Sequence, residues 1–274
     1  MKKSRQQVVI TGDLDGDLPQ PNQLSPYFAL MRRYGVRGTF PATADFVESY
    51  PEVIEELLKG GHELAGHGDR HERFDGSWRG QKARLDDMRA RIKQACGVTV
   101  VGFRPPWLAH NPATYQAMKE AGIEYSSMLL RKAFIHRLPP FGSIYRAPGF
   151  PGWAGLWGRI SRRFYPQPPA LPHWVDGIVE VPITGPDDHK LLDASGGPGF
   201  GAEEWEKVGA VWAAALDQTP GSGVFVLQAH PARMVGGFLG ALDFFIGHAR
   251  KTGAEFQSLH DIAAAFRARV RNHG

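Results

Sequence analysis

The sequence predicts an α/β fold built on a parallel β-sheet, either a barrel or an open sheet. Short apolar runs alternate with longer amphipathic ones along the whole chain. Such alternation of strands and helices is the pattern of linked β-α-β units, whose sheets are parallel. The chain has 274 residues, of which 42% are hydrophobic and 22% are charged. This composition excludes disorder of the whole chain and supplies enough apolar surface for one large core.

The predicted elements follow one another in order. The first strand covers residues 8–12, and a helix over residues 24–34 ends before a glycine. A second strand over residues 36–42 precedes a helix over residues 51–59, which begins with proline and is followed by two glycines. Ser77 is suited to cap the helix that follows it. The remaining elements are helices at residues 77–95, 112–121, 202–216, 238–251 and 259–270, and strands at residues 98–103, 124–129, 178–183 and 223–229.

Residues 131–174 interrupt this alternation. The stretch is rich in proline and glycine at its ends, and no internal repeat is visible anywhere in the chain. So long an irregular segment in a compact domain is usually functional or inserted. We therefore interpret residues 1–274 as one domain with an aromatic and basic insertion at about residues 131–174.

The middle of this insertion, residues 153–165, has apolar side chains at spacings of three and four, with arginines largely off that face. If the segment is helical, it has one apolar face. Such a face fits either a peripheral membrane contact, with basic residues toward anionic lipid, or packing of the insertion on the barrel. The apolar residues are Trp153, Leu156, Trp157, Ile160 and Phe164.

Charge and composition exclude several other classes. The net charge is +4, and the basic residues are scattered, without the stripe or aromatic interleaving of a nucleic-acid binder. The apolar run after the basic N-terminus spans only residues 8–10, too short for a signal peptide or a membrane span. We therefore expect a cytoplasmic protein, at most peripheral to the inner face of the membrane. The single cysteine, Cys96, excludes an internal disulfide.

Polar side chains cluster where predicted strands end, and these ends carry the sites of barrels and open sheets alike. Asp13 and Asp15 follow the first strand, although aspartates are also common in solvated turns. His67 and His71 are four residues apart. On a helical turn they would lie on one face and could bind one metal ion. Two histidines and a carboxylate leave positions open for water and substrate, as catalytic metal sites require.

Two further strand ends carry candidate residues. Arg104, Pro105, Pro106 and Trp107 follow one strand, a sequence that also fits a rigid turn with a surface arginine. Another buried strand delivers His230 to its end. Each of the four features is weak alone, but together they occupy the ends of different strands, which indicates one site.

In order and type, these motifs resemble those of the polysaccharide deacetylases, carbohydrate esterase family four, over residues 8–265. The family motif Gly-His-Glu-aliphatic-x-x-His-Ser/Thr-x-x-His is similar to residues 61–71, with Gly68 at the Ser/Thr position. Asp13 and Asp15, separated by one residue, resemble the split motif of the deformylase and peptidoglycan-deacetylase-like branches. The resemblance implies the NodB homology fold, a distorted (β/α) barrel.

The resemblance also implies roles for the site residues. Asp15, His67 and His71 would bind one divalent metal ion, zinc by default, although these ligands also suit cobalt, manganese or nickel. Asp13 would be the general base. Arg104 would pair with Asp13 and hold it ionised and oriented.

The remaining implied roles concern the acid and the substrate. His230 would be the general acid, and Leu227 would line an acyl pocket. Pro105, Pro106 and Trp107 would form one wall of the groove that binds the substrate.

One family motif, Asp-x-x-Asp-Trp after the fifth strand, is absent, because residues 125–129 are Tyr-Ser-Ser-Met-Leu. In the family this motif orients the general acid. The residue that orients His230 therefore stays open, with Asp176 and Glu180 as candidates.

The expected function is metal-dependent removal of an acetyl or formyl group from the nitrogen of an amino sugar or sugar conjugate, lipid- or nucleotide-linked. Two alternatives remain at this point. One is an allantoinase-like or cyclic-imidase-like amidohydrolase acting on a non-sugar amide. The other is a carbohydrate-binding relative that has lost catalysis. The sequence does not fix the acyl group, the scaffold or the oligomeric state.

Overall fold

A mostly parallel sheet, to which the described residues contribute nine strands, forms the framework of the chain. The computed structural model describes residues 5–16, 24–131, 169–186, 188, 202–234 and 238–273. The strands are β1 (Gln7–Thr11), β2 (Thr39–Ala42), β3 (Glu63–Gly66), β4 (Gly102–Phe103), β5 (Tyr125–Ser126), β6 (His173–Val175), β7 (Ile178–Glu180), β8 (Val224–Gln228) and β9 (Glu255–Phe256).

Helices connect the strands along the described ranges. They are α1 (Ser25–Arg33), α2 (Ala44–Ser49), α3 (Pro51–Lys59), α4 (Trp78–Cys96), α5 (Pro112–Glu120), α6 (Ala202–Asp217), α7 (Phe238–Lys251) and α8 (Leu259–His273). The N-cap predicted for α4 is present, since the Ser77 hydroxyl accepts from the Gly80 N–H. At the other end, Gly97 ends the helix at φ +76°. Among the described helices, none is long and apolar enough to cross a membrane.

The sheet closes into a barrel. In space the strands follow the order β6-β7-β5-β4-β3-β2-β1-β8, and β9 pairs with β1. The neighbours are parallel except for the antiparallel pair β6 and β7. Just beyond β7, the N–H groups of Thr184 and Gly185 donate to the carbonyl oxygen of Val226 in β8, at 3.2 and 2.8 Å. These bonds join the two sides of the sheet and confirm the predicted parallel barrel.

Side chains alternate between two apolar layers along each strand. Val9 of β1 belongs to one cluster with Tyr125, Val179 and Val226, whose strands are not all neighbours in the sheet. Such a cluster must fill the barrel interior, and Leu259 of α8 closes one end. The larger cluster lies between the sheet and the helices; it includes Val8, Ile10, Phe225, Leu227 and Phe245.

The observed elements differ from the prediction mainly in short pieces. The predicted strand over residues 36–42 begins only at Thr39, and the one over residues 98–103 is confined to Gly102–Phe103. The predicted elements do not include α2, β6 or β9. The strands β6 and β9 have only three and two residues, too few to show an alternating pattern, and the helix α2 has only six. β6 lies at the end of the predicted insertion yet belongs to the main sheet.

Candidate active site

Asp13 lies directly after β1 and is almost fully buried, with 5% of its surface exposed. Its Oδ1 accepts a hydrogen bond from Arg104 Nη1 at 2.7 Å, and its Oδ2 accepts one from Gln228 Nε2 at 2.9 Å. Burial alone would raise the pKa of Asp13, but the guanidinium charge of Arg104, helped by the hydrogen bond and charge of His230, holds it well below the ordinary value. Asp13 is therefore a carboxylate across the physiological pH range.

Arg104 follows β4 and is 1% exposed. Besides Asp13, it donates from Nη1 to the Thr11 hydroxyl at 3.0 Å. Its Nε and Nη2 donate to the carbonyl oxygen and the hydroxyl of Ser127, at 2.9 and 3.1 Å. These contacts leave the guanidinium one orientation, and the pairing with Asp13 that the sequence implied is present.

Asp15, His67 and His71 form a compact set of ligand atoms. One carboxylate oxygen and one ring nitrogen from each histidine all lie within 4.8 Å of one another. His67 Nδ1 lies 2.7 Å from the carbonyl oxygen of Arg104. Because a carbonyl can only accept, Nδ1 carries the proton and Nε2 is left as the coordinating atom. The donor set and spacing fit one divalent ion with open positions for water and substrate.

The pKa of His67 shows that its imidazole is the neutral, ligating form. Burial lowers this pKa, and the nearby carboxylate of Asp13 raises it only in part. The 3.9 Å contact between His67 Nε2 and Asp13 Oδ2 is therefore not an ion pair. A neutral imidazole can bind a cation without first losing a proton.

The two histidines meet through a loop and not through a helical turn, so the predicted helical geometry is wrong. Residues 67–71 contain no helix, and Gly68 has φ +99°, which an L side chain rarely adopts. The loop is held by backbone bonds, such as the one from the His67 N–H to the Ala42 carbonyl at 2.8 Å. The rings of His67 and His71 still lie 5.4 Å apart, between their centroids.

His230 follows β8 and is positioned by Asp188, which is fully buried. The ring Nδ1 lies 2.7 Å from Asp188 Oδ1, and the backbone N–H of His230 donates to Asp188 Oδ2 at 2.6 Å. On the other side, Nε2 lies 3.5 Å from Asp13 Oδ2. Burial would lower the pKa of His230, but Asp188, together with Asp13, raises it well above the ordinary value. His230 is thus a protonated imidazole at neutral pH.

Neither predicted candidate orients His230. Glu180 accepts from the Ser126 hydroxyl and from the N–H groups of Met128 and Leu129, so it organises the loop after β5. Asp176 lies in the turn between β6 and β7 with φ +48°. Asp188 was missed, although it is an acidic residue that comes after the predicted strand over residues 178–183.

The residues expected to form the groove wall are one exposed tryptophan and two buried prolines. Trp107 is 65% exposed and its ring centroid lies 4.7 Å from that of His71, while Pro105 and Pro106 are buried beneath it. Leu227 does not reach this groove. It is completely buried in the cluster between sheet and helices, so the acyl-pocket role implied for Leu227 is wrong.

One family model matches the first part of the chain. Residues 1–126 match the family model described as polysaccharide deacetylase, which confirms the resemblance found in the motifs. A search of curated protein sequences gives no match.

Solved structures share the fold over nearly the whole chain. A Mycobacterium smegmatis protein, provisionally described as a polysaccharide deacetylase, has a TM-score of 0.69 at 21% identity, covering 98% of this chain and 92% of that one. An allantoinase, PuuE, has a TM-score of 0.68 at 15% identity, covering 97% and 92%. A family 4 acetyl xylan esterase from Clostridium thermocellum, in complex with cobalt, has a TM-score of 0.54 at 17% identity, covering 94% and 91%.

Proposed function

We propose that this chain, whose residues 1–126 match the polysaccharide deacetylase family, is a metal-dependent hydrolase that removes an acetyl or formyl group from the nitrogen of an amino sugar or sugar conjugate. One observation carries the proposal. A charged carboxylate, Asp13, and a protonated imidazole, His230, face each other beside the ligand set of Asp15, His67 and His71. A base, an acid and a cation site in one cleft are the parts that amide hydrolysis needs.

The cation would be held by Asp15, His67 and His71, with zinc as the first choice and cobalt, manganese or nickel also suited to the donors. A divalent ion supplies Lewis acidity, which lowers the pKa of water and polarises an acyl carbonyl. The neutral state of His67 and its proton on Nδ1 prepare Nε2 for that role. The family match and the ligand geometry both support this assignment.

Asp13 accepts the proton of the attacking water. A base must be unprotonated before the reaction, and the ion pair with Arg104 maintains this state in a buried position. Because the bonds from Arg104 to Ser127 and Thr11 fix the guanidinium, they also fix the direction of the Asp13 carboxylate.

His230 donates a proton to the departing nitrogen. An amine leaves poorly unless it is protonated, so this step needs an acid that still holds its proton at neutral pH. The two bonds to Asp188 keep the imidazole protonated and direct its Nε2 toward Asp13 and the cleft.

The exposed ring of Trp107 supports a sugar as the substrate. The ring is largely exposed and lies beside His71, and an aromatic face can stack on the apolar side of a pyranose. The decisive experiment is a screen of N-acetyl and N-formyl amino-sugar conjugates, both lipid- and nucleotide-linked, with added Zn²⁺, Co²⁺, Mn²⁺ or Ni²⁺. Release of acetate or formate is measured, and Asp13→Asn is the blank.

A second candidate is an amidohydrolase acting on a small non-sugar amide. It is favoured by the absence of the Asp-Trp motif from residues 125–129 and by the placement of the orienting carboxylate at Asp188 instead. Allantoin and cyclic imides therefore belong in the same screen. Turnover of these compounds, with none on any amino-sugar conjugate, would replace the first candidate by the second.

A peripheral membrane contact through residues 153–165 remains a proposal, because that segment lies outside the residues that the structure describes. It would bring the protein to a sugar on a lipid carrier at the cytoplasmic leaflet. Flotation with anionic vesicles tests it, with wild type compared to a variant that carries serine at Trp153, Trp157 and Phe164. Absence of flotation of the wild type would refute the contact.

A further inference from the structure

Gln228 is a buried polar side chain to which neither the motifs nor the proposed mechanism gives a role. It is the last residue of β8, pairs in register with Thr11 of β1, and is 4% exposed. Its Nε2 lies 2.9 Å from Asp13 Oδ2 and 3.1 Å from His230 Nε2. The side chain therefore touches both the proposed base and the proposed acid.

The chemistry of the amide decides how these two contacts are made. An amide nitrogen has two N–H groups and no acceptor, so it donates to Asp13 with one and to His230 with the other. The reversed amide would place its oxygen 2.9 Å from a carboxylate oxygen, which is repulsive. Nε2 can accept from this amide only when His230 has released its Nε2 proton, and the remaining proton then lies on Nδ1, which faces Asp188 Oδ1 at 2.7 Å.

This arrangement suits the imidazole after it has released the Nε2 proton. When Nε2 carries a proton, two N–H groups face each other across 3.1 Å, and that proton has its better partners in Asp13 Oδ2 or in the substrate. Gln228 thus opposes the two carboxylates, Asp13 and Asp188, that favour protonation of His230. Without the hydrogen bonds from Gln228, His230 and Asp13 would share one proton. Neither group would then be available for its own role as acid or base.

We infer that Gln228 is a positioning residue that keeps Asp13 and His230 in separate roles, by giving one amide N–H to the carboxylate and the other to the imidazole. The inference rests on the proposed function for the meaning of those roles. In the transfer step, the bond from His230 Nε2 to its proton breaks, a bond from that proton to the leaving nitrogen forms, and the vacated Nε2 lone pair accepts from Gln228.

The test is an NMR titration of His230 in the full chain with ¹⁵N-labelled histidine, both metal-free and with added Zn²⁺. The His230 signals are assigned by their loss in His230→Gln. In Gln228→Met, which keeps the length but has no N–H, we expect the pKa of His230 to rise by about half to one pH unit. Gln228→Glu should raise it as well, since a carboxylate then faces the ring.

Gln116→Met is the matched control, because Gln116 lies on the surface of α5 and bonds only to Glu120 among the described residues. It should leave the His230 titration unchanged. If Gln228→Met fails to fold, as judged by circular dichroism, Gln228→Leu, which is also apolar and without an N–H, takes its place. An unchanged or lowered pKa of His230 in the folded variants would overturn the inference. The titration needs no substrate, so its outcome is independent of whether the hydrolase assay succeeds.

Discussion

Asp188 makes two hydrogen bonds to His230, one with the ring Nδ1 at 2.7 Å and one with the backbone N–H at 2.6 Å. The carboxylate is fully buried, so its charge acts on the imidazole with little screening by water. This pair fixes the direction of the ring and keeps a proton on its Nδ1. Because Asp188 raises the pKa of His230, the pH dependence of catalysis should change when Asp188 is replaced.

Asp188→Asn should shift the alkaline limb of kcat/KM to lower pH and reduce kcat. The negative charge of Asp188 raises the pKa of His230, and the acid must be protonated to act, so removing the charge makes the acid lose its proton earlier. Loss of orientation should lower kcat by about 10²-fold or more. The measurement is a pH–rate profile on the substrate found in the screen.

Asp176→Asn is the matched control for that experiment, since Asp176 lies in the turn between β6 and β7. Its profile should follow the wild type. An identical alkaline limb in Asp188→Asn and wild type would show that Asp188 has no electrostatic effect on the acid.

Asp13→Asn should abolish turnover while the metal content stays near that of the wild type. The change removes the base but none of the three ligands, and a lost base costs on the order of 10²–10⁴-fold in kcat. Asp15→Asn, only two residues away, should lose metal as well as activity. Metal content is measured by elemental analysis of purified protein, and equal metal loss in the two variants would mean that their roles are confused.

His71→Ala should lower the bound metal strongly, because it removes one of three ligands and leaves Asp15 without its 3.4 Å neighbour. His248→Ala is a suitable control, since His248 also contacts an aspartate, Asp217, but on the outer surface of α7. Full metal occupancy in His71→Ala, measured against that control, would rule out the site.

The contrast between Asp15 and Asp188 shows what the sequence could and could not predict. Asp13, Asp15, His67 and His71 each follow a short strand, and their spacing is local, so the motif alone locates them. Asp188 and His230 are 42 residues apart and meet only because the chain beyond β7 bonds to β8 when the barrel closes. No local pattern encodes that contact, although an acidic residue after a predicted strand was a usable signal.

The same distinction applies to side-chain direction. The sequence placed Leu227 near His230 in the chain, but strand alternation turns Leu227 toward the helices and Gln228 toward the site. Gly68 is a related case. Its φ of +99° bends the loop that brings His67 and His71 together, whereas the spacing of four suggested a helical turn.

A last prediction concerns folding stability and His62, which is buried between Phe28 and Phe40. Burial, with the positive charges of Arg32 and Arg37, lowers the pKa of His62 to about 4. In the unfolded chain the pKa is near the ordinary value of about 6.5, so the unfolded state binds the extra proton first as the pH falls. The contribution of neutral His62 to the free energy of unfolding is therefore fully present above pH ~6.5. It is lost progressively as the pH falls toward ~4.

His62→Asn removes this titration while its side-chain oxygen can still accept from the Gly38 N–H, as His62 Nδ1 does at 3.1 Å. We expect the variant to be less stable than wild type at pH 7.5, because it packs less well against the two phenylalanines. The difference in unfolding free energy between the wild type and the variant should shrink as the pH falls from 6.5 to 5. In this range the wild type loses stability because His62 binds a proton in the unfolded chain but not in the folded one, and the variant has no such group. Urea unfolding at several pH values measures it, and a difference that stays constant with pH would contradict the lowered pKa of His62.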